Sequence, residues 1–225
     1  AFLKTHYPEE FMTALLTVQR DDSTKVSTFL EECRRMNIPV LPPDVNYSTL
    51  DFDIQDDPET GNRAIRFGLA AIKNAGASAV QHIIDAREDG GQFTDLADFC
   101  KRVDLRQVGK RAIESLIKVG ALHDFGERSR LYHGLERIMA YSADYHKDLE
   151  VGQMNMFGET MSIESDLLSN MPDVQTYNTR EQLQWEKELL GLYVTGRPVD
   201  RFRKELAQTN TMDVALLKQE PGMYN

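Results

Sequence analysis

Two short turns carry the residue types from which a phosphate site can be built. The first lies in LAAIKNAGASAVQHIIDAR (residues 69–87), where Asn74 and Gly76 both tolerate positive φ and Lys73 stands beside them. The second lies in LRQVGKRAIESLIKVGAL (residues 105–122), where Gly109 is flanked by Arg106, Lys110 and Arg111. Each stretch reads as a short apolar helix, a tight turn, and a second helix with apolar residues three and four apart, the pattern of a helix-hairpin-helix. Such a turn reverses the chain with its amides outward, at the N-terminus of the following helix. Unpaired N–H groups and the helix dipole favour a phosphate there. Contacts made by backbone alone read no bases, so the predicted chemistry is sequence-independent binding of duplex DNA. A single αα-hairpin with Gly or Asn at its turn reads more readily as structural. Two copies 33 residues apart, Gly76 to Gly109, in the only basic part of the chain reverse that preference. The first copy is the weaker, because Ala77, Ser78 and Ala79 offer no cation.

Charge is segregated to match. The net charge of the 225 residues is −10, which taken alone argues against a nucleic-acid partner. Residues 61–147, however, hold 14 Lys and Arg against 11 Asp and Glu, or +3, and the remainder holds 12 against 25, or −13. Distribution outweighs the total.

The elements that must position these turns follow from periodicity. Residues 8–20, PEEFMTALLTVQR, form a helix opened by Pro8 and two glutamates. In the next segment Val26, Phe29, Leu30 and Cys33 share a helical face, and Asn37 is placed to end it. Residues 38–41 read as a short strand stopped by Pro42 and Pro43, and residues 50–61 as a hairpin feeding a strand at 64–67. Helix dominates from residue 69 to about 147. Residues 150–179 lose all period, and helix resumes at 180–190, where Trp185 at helical spacing from Leu189 reads as core. With 41% hydrophobic residues the chain has enough for an ordinary core, and no apolar run approaches a membrane span of about 18 residues. The start lacks the basic and apolar regions of a signal peptide, and it opens inside an amphipathic pattern without an initiator methionine, so a piece of something longer is expected.

Other candidate chemistry is thinner. Asp51 and Asp53 alternate on a strand as two-metal carboxylates do, with Asp56, Asp57 and Glu59 following, but this run leads into a turn and reads as a solvated hairpin. No nucleophile with its base is present, and the five histidines lack metal-ligand spacing, so no metal site is expected. Cys33 and Cys100 read as buried, reduced thiols, which fits a cytoplasmic protein. The peptide VGQMNMFG (residues 151–158) joins Gln153 to Met156 and Phe157 between glycines. Composition leaves two readings of it: a loop folded into the chain's own core, or a short linear motif captured by a partner's pocket.

The runs AFLKTHYPEEFMTALL, FLEECRRMNIPVLPPDVN, FGLAAIKNAG, IIDAREDGGQFTDLADFC, SLIKVGALHDFG, GQMNMFG and EKELLGLYVTGRPVD, in this order, resemble the alpha (catalytic) subunit of bacterial replicative DNA polymerase III. The resemblance implies a mainly α fold with small β elements. Residues 1–60 would be the end of a fingers domain, and 61–150 a tandem helix-hairpin-helix domain holding DNA through Lys73, Asn74, Gly76, Arg106, Gly109, Lys110 and Arg111. Residues 151–178 would be a flexible loop whose Gln153, Met156 and Phe157 bind the ring-shaped sliding clamp, and 179–225 a helical connection toward an oligonucleotide-binding domain. The family's catalytic aspartates lie in a palm domain upstream. This piece is therefore expected to have no catalytic residue and no cofactor of its own, Mg2+ serving the whole enzyme, a DNA-directed DNA polymerase. Expected partners are double-stranded DNA, the clamp and other replicase subunits, with no membrane. The family often has Gly where this chain has Asn74, and Ala77 and Ser78 also depart from it. A structure-specific nuclease and a structural helical adaptor are the competing readings.

Overall fold

The computed structural model describes residues 2–58, 60–150, 177–196 and 198. Its architecture is mainly helical with one three-stranded sheet, as expected. Among the described residues no helix is long and apolar enough to cross a membrane.

The N-terminal part holds α1 (Phe2–His6), α2 (Pro8–Val18) and α3 (Ser23–Arg35). Pro8 starts α2 because its missing N–H is not needed in a first turn. The Asp22 carboxylate caps α3 by accepting from the Thr24 and Lys25 amides, both at 3.1 Å. Asn37, at φ 57°, ends the helix where the sequence placed the stop. Val26, Leu30 and Cys33 are buried on one face of α3.

The expected strand at 38–41 is shorter, β1 (Val40–Leu41), because Pro42 has no N–H to continue a ladder. The hairpin expected within 50–61 does not close there: that run supplies one strand, β2 (Asp53–Asp56), and the expected strand at 64–67 is its antiparallel partner, β3 (Arg63–Arg66), with Ile54 opposite Ile65. Unforeseen is that β1 lies parallel to β3, Val40 opposite Ile65, giving the order β1-β3-β2. The central strand carries the buried residues Ala64 and Ile65. Gly68 follows because nothing larger fits: a Cβ there would lie 2.6 Å from the Asp51 carbonyl oxygen.

The helical part begins with a 3-10 turn (Leu69–Ala71), then α4 (Ala77–Gly90) and α5 (Leu96–Arg102). The second repeat is α6 (Leu105–Val108) and α7 (Lys110–Val119), followed by a 3-10 turn (His123–Phe125), α8 (Arg128–His133) and α9 (Leu135–Glu150). Helix α10 (Thr179–Leu189) starts in a capping box of Asn178 and Glu181 and packs on α7. The two repeats touch through α4 against α6.

Residues 42–48 clasp the sheet to the helices. The Val45 amide donates to Ala121 O at 2.9 Å, the Asn46 carboxamide both donates to Phe93 O and accepts from Phe93 N, and Arg87 Nη1 donates to the Val45 and Ser48 carbonyls. One hydrophobic cluster runs from Met12 and Leu16 through Ile65 and Phe67 to Ile83, Phe99 and Leu116. The sheet itself spans the boundary anticipated near residue 60, since β3 pairs with both strands before it.

Candidate nucleic-acid interface

Gly109 closes α6 and opens α7 at φ 85° and ψ 142°, a region that residues with a Cβ rarely enter. Its amide donates to Leu105 O at 2.9 Å, and its carbonyl accepts from the Ala112 and Ile113 amides. The intervening amides of Lys110 and Arg111 stand in the first turn, where no intrahelical acceptor exists, and no side chain caps them. A Cβ on Gly109 would meet nothing within 4 Å, and Lys110 and Arg111 are both exposed.

The first hairpin differs in detail from expectation. Asn74 alone supplies the left-handed turn, at φ 71°, whereas Gly76 is extended at φ −61° and ψ 146°. Chain reversal needs only one positive φ here, and a Cβ at Gly76 would meet nothing within 4 Å, so neither conformation nor space requires glycine there; it caps α4 without a side-chain bond. The Val80 amide returns to Gly76 O, leaving the Ala77, Ser78 and Ala79 amides in the uncapped first turn. By contrast, Asp22, Asp95, Asp104 and Asn178 cap α3, α5, α6 and α10 with their side chains. Helices α2, begun by a proline, and α8 also lack a side-chain cap, but among the described helices only α4 and α7 start at a glycine that makes or closely follows a positive-φ turn.

The candidate cations divide into tethered and free. Arg106 binds Asp104 at 2.8 Å and Glu150 at 2.6 Å, and Lys110 pairs with Glu136. The hydrogen bond from Arg106 holds the Asp104 carboxyl down at about 2, and the same partners raise Arg106 and Lys110 above their ordinary values. These ion pairs are exposed and screened by solvent, so a phosphate can replace the carboxylates at small cost. Lys73 and Arg111 are exposed and have no ion-pair partner among the described residues. The first hairpin also borders an open groove of about 500 Å3, walled by Arg20, Asp21, Glu188 and Leu189, which brings carboxylates near Lys73.

Among the described residues the acidic run does not assemble into a ligand cluster, and Glu59 lies outside them. Asp51 pairs with Arg20, and Asp53 is exposed at the start of β2, its carboxylate accepting from the Ile54 amide. Among the described residues the one group of ligand-type side chains close enough to share a cation is Asp44, His123 and Asp124, which includes none of that run. Both cysteines are free and buried, and burial pushes each thiol up to about 12. Gln153, Met156 and Phe157 lie outside the described residues.

Sequence reasoning missed Glu186. Its fully buried carboxylate accepts from Arg128 Nη1 at 3.1 Å, the Val194 and Thr195 amides at 2.9 and 3.0 Å, and Thr195 Oγ1 at 2.7 Å. Arg128 in turn lies against Gly120, the left-handed cap of α7, where a Cβ would meet its guanidinium. The signal was Glu186 at i+3 from Leu183 and i−3 from Leu189, a charge on an apolar face. Trp185 beside it sits half-buried among Tyr132, Tyr177 and the Lys118 ammonium.

A family model described as a helix-hairpin-helix motif matches residues 37–131, which covers both hairpins and the clasp. The DNA polymerase III subunit alpha of Thermus aquaticus is 43% identical over 225 residues, 99% of this chain and 18% of its own length. That of Vibrio cholerae is 39% identical over 92% of this chain and 18% of its own, and that of Escherichia coli 37% identical over 91% and 17%. The chain thus spans less than a fifth of the curated relatives it matches. Over nearly its whole length it is homologous to one segment of the bacterial DNA polymerase III alpha subunit.

Proposed function

We propose that this chain is the part of a replicative polymerase alpha subunit that holds duplex DNA, carrying none of the groups that transfer nucleotides. The observation that supports this most is the pair of uncapped, glycine-started helix N-termini on α4 and α7, each at or just behind a positive-φ turn. Each offers a first-turn array of unpaired amides to one phosphate, with Lys73 beside the first and Arg106, Lys110 and Arg111 beside the second. Asn74, Gly76 and Gly109 shape the turns. Backbone cradles grip any sequence, so the duplex slides through as a polymerase advances.

On the same reading, residues 1–60 end a fingers domain, 61–150 form the tandem helix-hairpin-helix domain, and 179–225 lead toward an oligonucleotide-binding domain. The loop 151–178 presents Gln153, Met156 and Phe157 to the sliding clamp. The whole cytoplasmic subunit would perform DNA-directed DNA synthesis with Mg2+ and further replicase subunits. Fluorescence anisotropy with unrelated labelled duplexes at about 50 and 200 mM salt tests the duplex reading. Lys110→Glu with Arg111→Glu is expected to weaken binding on every sequence and to flatten the salt slope by about two phosphates. Strong sequence dependence overturns the cradle mechanism. For the clamp, Met156→Ala with Phe157→Ala is expected to cost roughly 2–4 kcal/mol of binding by calorimetry, and an unchanged affinity removes the peptide as the contact.

A further inference from the structure

Asn74 turns the first hairpin, and its side chain reaches back to the second repeat. Its Nδ2 donates to Ser115 Oγ at 3.3 Å, across 41 residues of chain. Ser115 is only 3% exposed and sits on the face of α7 that buries Ala112, Leu116 and Val119, so its hydroxyl needs a partner. Glycine would adopt φ 71° at less strain than asparagine. What asparagine adds is this bond. We infer, resting on the duplex reading above, that Asn74 is a positioning residue: its carboxamide clips the first hairpin to α7 and fixes the spacing between the two sets of open amides. Only a fixed spacing lets both sets meet phosphates of one rigid duplex at once. Lys73, adjacent and unpaired among the described residues, is carried on the same turn, and its amide is tied to Leu189 O at 3.0 Å.

The test uses Asn74→Gly, which keeps the turn and removes the clip, and Ser115→Ala, which removes the acceptor. Amide hydrogen exchange without DNA is read at Lys73, Ala75 and Val80, the amides bonded to Leu189, Ile72 and Gly76. Both variants are expected to exchange faster there while α9 is unchanged. Duplex affinity is expected to fall about 5-fold, the worth of one hydrogen bond. The salt slope is expected to lose about one phosphate as Lys73 leaves its place. The double variant is expected to be no worse than the worse single one, and Lys73→Met is expected to be silent in the Asn74→Gly background. Unchanged exchange, additive losses, or an undiminished effect of Lys73→Met overturns the clip. Absence of duplex binding by the unaltered chain instead overturns the duplex reading, so the two failures are told apart.

Discussion

Replacing Glu186 by glutamine keeps the volume of the side chain and removes its charge, which isolates what the carboxylate does for α10. The two carboxylate oxygens accept four bonds: Oε1 from Arg128 and the Thr195 hydroxyl, Oε2 from the Val194 and Thr195 amides. Glutamine turns one of those acceptors into an NH2 donor. Facing the amides, it leaves two backbone donors unsatisfied, at about 1–3 kcal/mol each. In either orientation the neutral amide leaves the Arg128 guanidinium, 15% exposed, without its counter-ion, a loss of about 3–5 kcal/mol when one partner of a buried pair is removed. Either orientation predicts a destabilisation of about 3 kcal/mol, or about 6–12 °C in Tm for a domain of this size. Urea unfolding would be followed by circular dichroism and by fluorescence of Trp185, the chain's single tryptophan and a direct neighbour of the lock. In the variant the fluorescence transition is expected to precede the loss of helix, because α10 undocks from α7 first. Glu188→Gln, on the exposed side of the same helix, is the control and is expected to shift stability by less than about 0.5 kcal/mol. A Glu186→Gln midpoint within 1 kcal/mol of the unaltered chain, by the measure of a surface change, would refute the reasoning.

Acid titration gives a second outcome. The Asp104 carboxyl sits at about 2 in the folded chain against 3.8 ordinarily, so its stabilisation is complete above that ordinary value and fades as pH falls through 2. Because the Arg106 partner is exposed, solvent screening keeps the stake small, and Asp104→Asn is expected to remove that small part of the acid dependence in pH-dependent urea melts. Gly68→Ala is expected to cost more than about 3 kcal/mol in thermal denaturation, because its methyl would meet backbone that cannot retreat. Gly109→Ala, in open space but at φ 85°, is expected to cost about 1–3 kcal/mol of strain and no more. Cys33 and Cys100 are expected to resist a thiol reagent at pH 8 until the chain unfolds, read as absorbance released with and without denaturant, since both thiols are pushed to about 12.

Local signals were legible wherever local physics decided the outcome. Pro8, the apolar stripe of α3, the stop at Asn37 and the turns at Asn74 and Gly109 each depend on a few adjacent residues, and each stands where the sequence placed it. Gly76 was misjudged for the same reason: a glycine next to a turn looks as if it must carry the positive φ, and only the traced backbone shows that Asn74 already does. Contacts between distant segments left no such trace. The parallel pairing of β1 with β3, the bond from Asn46 to Phe93 and the lock of Glu186 with Arg128 each join residues far apart in the chain. The partners of Arg106 and Lys110 were equally hidden, so the second hairpin looked more basic in sequence than its surface is.

The clasp at residues 42–48 decides what can be inherited as a unit. Excising the repeats at residue 61 would strip Arg87 of both its carbonyl partners, Phe93 of Asn46 and Ala121 of the Val45 amide, and would remove two of the three strands. A graft of this grip onto foreign scaffolds must therefore carry the proline-rich bend and its strand along. The transferable cassette is longer than the repeats it serves, and recombination that cut between them would yield a product that cannot close its own seam.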